Sequence, residues 1–145
     1  MTADDGMERM KGGPQPDDSL VKAAGKVKLL ILDVDGVLTD GRITYTAGGE
    51  EIKSFDVRDG HAVKLAMRAG LDVAIITGRE STIVTHRAEE LGIRHVYQGA
   101  LDKMKAFREI LSRTGLETEQ VAYMGDDLVD IPVLMNVGLS CAPSD

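Results

Sequence analysis

The sequence predicts an α/β domain with a doubly wound, mostly parallel sheet. Three observations predict it: short apolar runs alternate with helical stretches, glycines follow several of the helical stretches, and acidic or polar residues stand directly after the apolar runs. Apolar runs of this length, bounded by turn residues, are typical of strands that are buried on both faces of a parallel sheet. Helices would then cover both faces.

These patterns define the predicted elements in chain order. Alternating apolar and polar residues around Ala47-Gly48-Gly49-Glu50 indicate a β-hairpin, Asp59 is placed to cap a helix, and the glycines at 70, 92 and 115 are placed to end helices. We expect a strand at 27–32, hairpin strands at 42–46 and 51–55, a helix from Asp59 to Gly70, a strand at 72–76, a helix at 80–91, a strand at 93–97, a helix at 101–113, a strand at 121–124, a helix to Asn136 and a strand at 139–142.

Composition limits the classes of function. The first 26 residues are rich in Gly, Pro, Asp and Lys without apolar periodicity, so we expect a disordered tail at 1–26 and one folded domain at 27–145. The net charge of −7 argues against broad nucleic-acid binding. No apolar run approaches the roughly 20 residues of a membrane-spanning helix, and no secretory signal is visible. The lone Cys141 cannot form an internal disulfide, which favours a reducing cytoplasm.

Four polar signals stand after predicted strands or begin predicted helices. In chain order they are Asp33-Val34-Asp35, Thr77-Gly78-Arg79, Lys103, and Gly125-Asp126-Asp127 with Asp130. Each alone has an ordinary explanation, such as a surface turn, a solvated lysine or a helix cap. Because the carboxyl ends of parallel strands meet at one edge of a sheet, the four together predict a single ligand site there.

That combination suits phosphoryl transfer. Asp33 and Asp126 can hold Mg²⁺, which prefers oxygen ligands and binds through one or two carboxylates plus phosphate. One carboxylate can act as the nucleophile, and a neighbouring carboxylic acid can protonate the leaving alkoxide and later deprotonate water. The Thr77 hydroxyl, backbone N–H groups and the Lys103 ammonium would hold the phosphoryl oxygens.

The same four signals, in the same order, resemble the motifs of the haloacid dehalogenase superfamily of Mg²⁺-dependent phosphotransferases, which have a Rossmann-like core. The resemblance extends from residue 27 to about residue 142. It implies that Asp33 is the nucleophile and Asp35 the general acid/base, and that Thr77, Gly78 and Lys103 bind the phosphate. It also implies that Mg²⁺ is bound by the Asp33 carboxylate, the Asp35 backbone carbonyl and Asp126. Asp127 and Asp130 would be supports that orient Lys103 or water at the metal.

A narrower resemblance rests on the segments between these motifs. Only a hairpin at 41–55 comes after the first motif, and 79–103 leaves room for one helix and one strand, so no cap domain is expected. The segments at 40–43, 51–60 and 97–99 resemble the 3-deoxy-D-manno-octulosonate 8-phosphate (KDO 8-phosphate) phosphatase family. This implies a cytoplasmic phosphatase of lipopolysaccharide precursor synthesis, a homotetramer whose hairpins form a central barrel, and contacts of Arg58 and Arg79 with the sugar acid. The family continues past Ala142 with a helix and a Gly-rich tail, and we expect that tail to be missing from this sequence, which ends at Asp145.

Three alternatives are open on the sequence alone. A phosphatase of a nine-carbon keto-sugar-acid 9-phosphate has the same chemistry, and Val57-Arg58-Asp59-Gly60 favours the eight-carbon sugar by resemblance alone. A phosphorylatable receiver domain also uses Asp, Thr, Lys and Mg²⁺ on an α/β sheet, but in a different order along the chain. A scaffold domain that has lost catalysis is the third.

Overall fold

The apolar runs and the amphipathic stretches between them form twelve regular elements in residues 15–144, the part of the chain that the computed structural model describes. Numbered in chain order, they are α1 (Asp18–Lys26), β1 (Leu29–Leu32), β2 (Thr44–Tyr45), β3 (Glu51–Ile52), α2 (Val57–Arg68), β4 (Asp72–Ile76), α3 (Thr82–Leu91), β5 (His95–Tyr97), α4 (Lys103–Thr114), β6 (Val121–Met124), α5 (Ile131–Leu134) and β7 (Leu139–Cys141). Short 3₁₀ turns at Thr118–Gln120 and Leu128–Asp130 flank β6.

Five strands form one sheet in the order β5-β4-β1-β6-β7, and every neighbouring pair is parallel. The chain moves outward from β1 through β4 to β5 on one side and through β6 to β7 on the other. The strand order therefore reverses between β1 and β6, which is where ligands bind in open α/β sheets. The predicted doubly wound fold is confirmed.

The core has two layers because successive side chains of a strand point to opposite faces. Leu29 and Ile31 of β1 pack with α4 on one face, around Phe107 and Ile110. Leu32 of β1 packs on the other face with residues of α2 and α3. The central strands of the sheet are thus covered on both faces.

Among the described residues, no helix has the length and apolar character needed to cross a membrane.

Several boundaries differ from the sequence-based prediction. Helix α2 begins two residues before Asp59, because the Asp56 carboxylate accepts the backbone N–H of Arg58 at 2.7 Å and caps the helix instead. Ser81 caps α3 in the same way, with its hydroxyl accepting the N–H of Ile83. The helix expected to reach Asn136 is only a 3₁₀ turn and then the four residues of α5.

The predicted disordered tail is wrong for its last nine residues. Residues 18–26 form α1, whose N-terminus is capped by the Asp17 carboxylate through the N–H of Ser19. The helix has no buried residue, and its apolar Leu20 and Val21 are about half exposed. Leu20, Val21, Ala23 and Ala24 do recur at helical spacing, but over too few positions to stand out from the polar residues around them. The rest of the predicted tail, residues 1–14, lies outside the described residues.

The hairpin is present but short. Strands β2 and β3 pair antiparallel in a separate two-stranded sheet, with Tyr45 opposite Glu51 and Thr44 opposite Ile52. It is the only element between β1 and α2, so no cap domain is inserted at this point of the described chain.

Candidate active site

A cavity of about 290 Å³ lies at the carboxyl ends of the central strands. Most of the predicted site residues line it: Asp33, Asp35, Thr77, Gly78, Arg79, Lys103, Asp126 and Asp127. Asp130 does not line the cavity but lies fully buried behind it. Arg58 is also absent from the lining.

Asp33 and Asp126 face each other across the point where the strand order reverses. Carboxylate oxygens of Asp33, Asp126 and Asp130 lie within 4.8 Å of one another. Gly36 makes this approach possible, because a Cβ at residue 36 would overlap the Asp126 carboxylate, and its φ of +87° lies in the region that favours glycine. Gly36 was not predicted from the sequence, although its position directly after the Asp-x-Asp pair was an available signal.

Lys103 links two of these carboxylates inside the protein. Its side chain is only 3% exposed, and its Nζ lies 3.1 Å from Asp33 Oδ1 and 2.6 Å from Asp130 Oδ1. The buried Tyr123 hydroxyl donates to the same Asp130 oxygen at 2.6 Å. We call Asp33, Lys103, Tyr123 and Asp130 the buried ion cluster. Tyr123 was not predicted as a site residue, because a tyrosine in a buried strand is not distinguishable by sequence from an ordinary core residue.

The environment changes the acidity of these carboxyl groups in different directions. Burial raises the pKa of Asp33 to about 6, against the opposing effects of the Lys103 charge and the Val34 N–H. Burial and the negative charge of Asp130 also raise the pKa of Asp126. Burial acts to raise the pKa of Asp130 too, but hydrogen bonds from Lys103 and Tyr123 outweigh it, so the net shift is downward. Asp130 is therefore the stable anion of the group.

Asp130 is saturated with donors, which makes it a support and not an open ligand. Its Oδ1 accepts from Lys103 and Tyr123, and its Oδ2 accepts the backbone N–H groups of Asp126 at 3.2 Å and Asp127 at 3.1 Å. These bonds fix the loop that carries Asp126. Asp127 itself uses its Oδ1 to accept the N–H of Leu128 at 2.6 Å.

The donor set of the cavity fits a hard divalent cation. Asp33 and Asp126 supply carboxylate oxygens, and the single ammonium of Lys103 faces three carboxylates that lie close together. Burial, with the negative charge of Asp130, raises the pKa of both Asp33 and Asp126, so a further cation in the cavity would stabilise their ionised forms. All of these ligand atoms are oxygens, as Mg²⁺ requires.

Asp35 lies on the hairpin side of the cavity and has a different partner. The Lys53 ammonium donates to Asp35 Oδ1 at 2.6 Å and lies 3.3 Å from Glu51 Oε1. The same Glu51 oxygen lies 2.8 Å from Nη2 of Arg79. We call Asp35, Lys53, Glu51 and Arg79 the hairpin ion chain. Glu51 and Lys53 were not predicted as site residues, since charged residues alternating on a hairpin are usually solvated.

The loop after β4 brings Thr77 and Gly78 to the cavity. Thr77 is 2% exposed, its backbone N–H donates to Tyr97 O at 2.9 Å, and its carbonyl accepts from Ala100 at 3.0 Å. Since both backbone groups are engaged in holding the loop to the neighbouring segment, its hydroxyl is the group left for a ligand.

Arg58 is the one predicted site residue that neither lines the cavity nor contacts a residue that does. Its side chain is 91% exposed, and its Nη2 lies 3.2 Å from Asp56 Oδ2 at the start of α2. Within one chain, no contact between Arg58 and the cavity is present among the described residues.

Comparisons with known proteins identify the family of this chain. A family model described as haloacid dehalogenase-like hydrolase matches residues 49–138. The 3-deoxy-D-manno-octulosonate 8-phosphate phosphatase KdsC of Yersinia pestis is 50% identical over 133 residues, which make up 92% of this chain and 71% of that protein.

Solved structures give the same result. The crystal structure of the Yersinia pestis phosphatase superposes with a TM-score of 0.85 at 49% identity, covering 86% of this chain and 68% of that one. The Moraxella catarrhalis phosphatase, solved in complex with magnesium ion, phosphate ion and KDO, superposes with a TM-score of 0.85 at 39% identity, covering 88% of this chain and 73% of that one. The chain therefore belongs to the haloacid dehalogenase-like hydrolases and, among them, to the family of the KDO 8-phosphate phosphatases.

Proposed function

We propose that this protein is a Mg²⁺-dependent phosphatase that hydrolyses KDO 8-phosphate to KDO and inorganic phosphate, a step in the synthesis of a lipopolysaccharide precursor. The observation that carries the proposal is the meeting of Asp33, Asp126 and Lys103 at the carboxyl edge of the sheet in a chain of this family. A buried carboxylate beside an ammonium and a second carboxylate is suited to attack phosphorus once a cation offsets the anionic charge.

The carboxylates of Asp33 and Asp126, with the backbone carbonyl of Asp35, would hold the magnesium ion. Bound there, the cation would offset the repulsion between the carboxylates and the substrate phosphate. Asp127 and Asp130 act as supports in this proposal. Asp130 holds Lys103 and the loop of Asp126, as its four hydrogen bonds indicate.

The reaction proceeds in two steps on the residues of this chain. The Asp33 carboxylate attacks phosphorus, the bond between phosphorus and the ester oxygen breaks, and Asp35 gives its proton to the departing sugar alkoxide. This leaves an aspartyl phosphate on Asp33. Asp35 then takes a proton from water as that water attacks phosphorus, which releases inorganic phosphate and restores both carboxyl groups.

The remaining polar groups bind and orient the substrate. The Thr77 hydroxyl, the Gly78 N–H and the Lys103 ammonium hold the phosphoryl oxygens. Arg79 binds the carboxylate or hydroxyls of the sugar acid, because its Nη1 is buried without a hydrogen-bond partner among the described residues while Nη2 is tied to Glu51. Arg58 can serve only the site of a neighbouring subunit in this proposal, since it does not line the cavity of its own chain.

The proposed assembly is a homotetramer built on the hairpin. Ile43, Tyr45 and Ile52 are 57%, 59% and 47% exposed, so three apolar side chains of this small element face solvent in a single chain. Such exposure is typical of a surface that another subunit covers. Light scattering should give a tetrameric mass at micromolar concentration, and Ile43→Ser with Ile52→Ser should lower it; a monomeric mass for the unaltered protein would contradict the proposal.

We also propose that the protein works in the cytoplasm. The sequence has a single cysteine, Cys141, which is partly buried, and so offers no internal disulfide for an oxidising compartment to form.

A phosphate-release screen tests the function. The substrates are KDO 8-phosphate, a nine-carbon keto-sugar-acid 9-phosphate and glucose 6-phosphate, each with Mg²⁺ and with EDTA. We expect Mg²⁺-dependent turnover with the highest kcat/KM for KDO 8-phosphate. Preference for the nine-carbon substrate would change the assigned substrate but not the reaction class. Incorporation of one phosphate per chain without turnover would indicate a receiver domain.

The Asp33→Asn variant is the control for that screen. It removes the nucleophile with little change in volume, so hydrolysis should fall by at least about 10³-fold while the circular dichroism spectrum stays the same. Near-normal turnover by this variant would show that Asp33 is not the nucleophile.

A further inference from the structure

Lys53 has an unusual environment for a hairpin lysine. Its side chain is only 2% exposed, although its neighbour Ile52 is about half exposed. A buried ammonium is unfavourable unless anionic partners compensate for its lost hydration. Lys53 has two such partners, Asp35 at 2.6 Å and Glu51 at 3.3 Å.

These contacts connect the hairpin to both sides of the cavity. Glu51 begins β3 and Lys53 directly follows the strand; both are partly buried, whereas Ile52 between them is exposed and lies on the opposite face. Lys53 reaches the loop after β1 through Asp35, and Glu51 reaches the loop after β4 through Arg79 at 2.8 Å. Positive and negative groups alternate along the hairpin ion chain, and its formal charge is zero.

We propose that Lys53 is a positioning residue for the general acid/base Asp35, an inference that rests on the function proposed above. The Lys53 ammonium donates to Oδ1 of Asp35, and an oxygen that accepts from an ammonium is a poor place for a proton. Oδ2 is therefore the oxygen that is left free to face the leaving group. Lys53 thus fixes both the rotation of the carboxyl group and the oxygen that delivers the proton to the leaving group.

A positioning role and a purely structural role for Lys53 differ in their effect on two kinds of substrate. An alkoxide leaving group, as in a sugar phosphate, needs the proton of Asp35, whereas p-nitrophenolate leaves readily without one. Because kcat/KM reports only the steps up to release of the leaving group, a misplaced acid should lower kcat/KM for the sugar phosphate and spare that for p-nitrophenyl phosphate. General loosening of the site would lower both.

The experiment compares kcat/KM for KDO 8-phosphate and p-nitrophenyl phosphate at saturating Mg²⁺. The variants are Lys53→Met and, in case the first fails to fold, Lys53→Gln, with Asp35→Asn as the reference for loss of the acid and the exposed Lys64→Met as the matched control. We expect Lys53→Met to lose at least about tenfold on the sugar phosphate and less than about threefold on the aryl phosphate. Asp35→Asn should show the same selectivity more strongly, Lys53→Gln a weaker form of it, and Lys64→Met no change.

Equal losses on both substrates, or no loss on either, would overturn the role of Lys53 and leave the proposed function standing. If the unaltered protein hydrolysed neither substrate, that result would instead overturn the proposed function, and this inference with it.

Discussion

The two charge networks around the cavity are built in contrasting ways. The buried ion cluster joins the end of β1, α4, β6 and the turn after β6; the two strands and the helix pack in the main core, and Asp130 of the turn is fully buried. The hairpin ion chain joins two loops through a hairpin whose strands are two residues long and whose apolar side chains are exposed. In the proposed reaction, the first network holds the nucleophile and the second holds the acid.

The difference indicates that fold stability and catalysis are divided between the networks. Removing a partner from the buried ion cluster leaves an uncompensated charge in the core, which is strongly destabilising. In the hairpin ion chain, Lys53 is as buried as Lys103, but its partners Asp35 and Glu51 are 26% and 16% exposed, so water can compensate in part for the loss of its charge. Two kinds of comparison test that division. One compares the effects of substitutions in the two networks, and the other compares a network residue with an exposed residue near it in the sequence.

The largest effect on stability should come from Lys103→Met. This change leaves the Asp33 and Asp130 carboxylates buried beside each other without a cation, so we expect a loss of about 3–5 kcal/mol in the free energy of unfolding at pH 7.5 in EDTA. Urea unfolding measures it. The matched control is Lys105→Met, two residues along the same helix and exposed, which should stay within about 0.5 kcal/mol. The division would be refuted if Lys103→Met and Lys105→Met lost equal amounts of unfolding free energy, or if Lys53→Met lost more than Lys103→Met.

Asp126→Ala should act on the metal and leave the fold nearly unchanged. Asp126 is exposed, whereas its partner Asp33 is buried, so its removal takes away a proposed ligand without opening the core. The Mg²⁺ concentration for half-maximal activity should rise at least about tenfold, as measured by titrating Mg²⁺ into the phosphate-release assay. Asp127→Ala, at the neighbouring exposed carboxylate, is the control and should have a smaller effect. An unchanged Mg²⁺ requirement in Asp126→Ala would rule out its role as a ligand.

Magnesium binding should weaken at acidic pH. The pKa of Asp33 is raised to about 6, so the folded, metal-free protein binds a proton there that the unfolded chain, with its ordinary value of 3.8, has released at pH 5. This proton stabilises the metal-free fold at low pH, and that contribution is lost as the pH rises through 6. Since the ion must displace the proton, the apparent Kd for Mg²⁺ should be about tenfold higher at pH 5 than at pH 7.

Isothermal titration calorimetry measures this dependence, and the raised pKa of Asp126 acts in the same direction. The Asp33→Asn variant should lose most of the change in Kd between the two pH values. A Kd that is the same at pH 5 and pH 7 in the unaltered protein would contradict the assignment of Asp33 as a titrating ligand.

The buried ion cluster was more predictable from the sequence than the hairpin ion chain for a physical reason. Of its members, Asp33 directly follows a strand, Lys103 begins a helix, and Asp130 belongs to the acidic motif that follows β6, and parallel strands bring such positions to one edge whatever the details of packing. Glu51 and Lys53 reach the cavity only because the hairpin lies over it, and its placement depends on tertiary contacts that no periodicity reveals. Arg58 was expected in the site by resemblance alone, and a single chain leaves it at the surface.

Smaller errors in the fold have a similar origin. Asp56 and Asp59 are both suitable helix caps, and only the backbone conformation before α2 decides between them. Helix α1 was missed because its apolar residues, Leu20, Val21, Ala23 and Ala24, span only five positions within a segment of otherwise polar composition. Tyr123 has the sequence pattern of an apolar strand residue, and its hydroxyl has a role only because Asp130 lies fully buried beside it.

Tyr123→Phe should have the smallest effect and separates the two functions of the buried ion cluster. The change removes one hydrogen bond to Asp130 but leaves Lys103 and two backbone N–H groups as donors, so the free energy of unfolding should fall by about 1.5 kcal/mol, well below the loss for Lys103→Met. Because these three donors still hold Asp130 in place beside Lys103 and the Asp126 loop, KM and the Mg²⁺ requirement should change by less than about threefold. Urea unfolding and the phosphate-release assay measure these quantities. A loss of activity as large as that of Asp33→Asn would mean that the Tyr123 hydroxyl, and not Lys103, is the main support of Asp130.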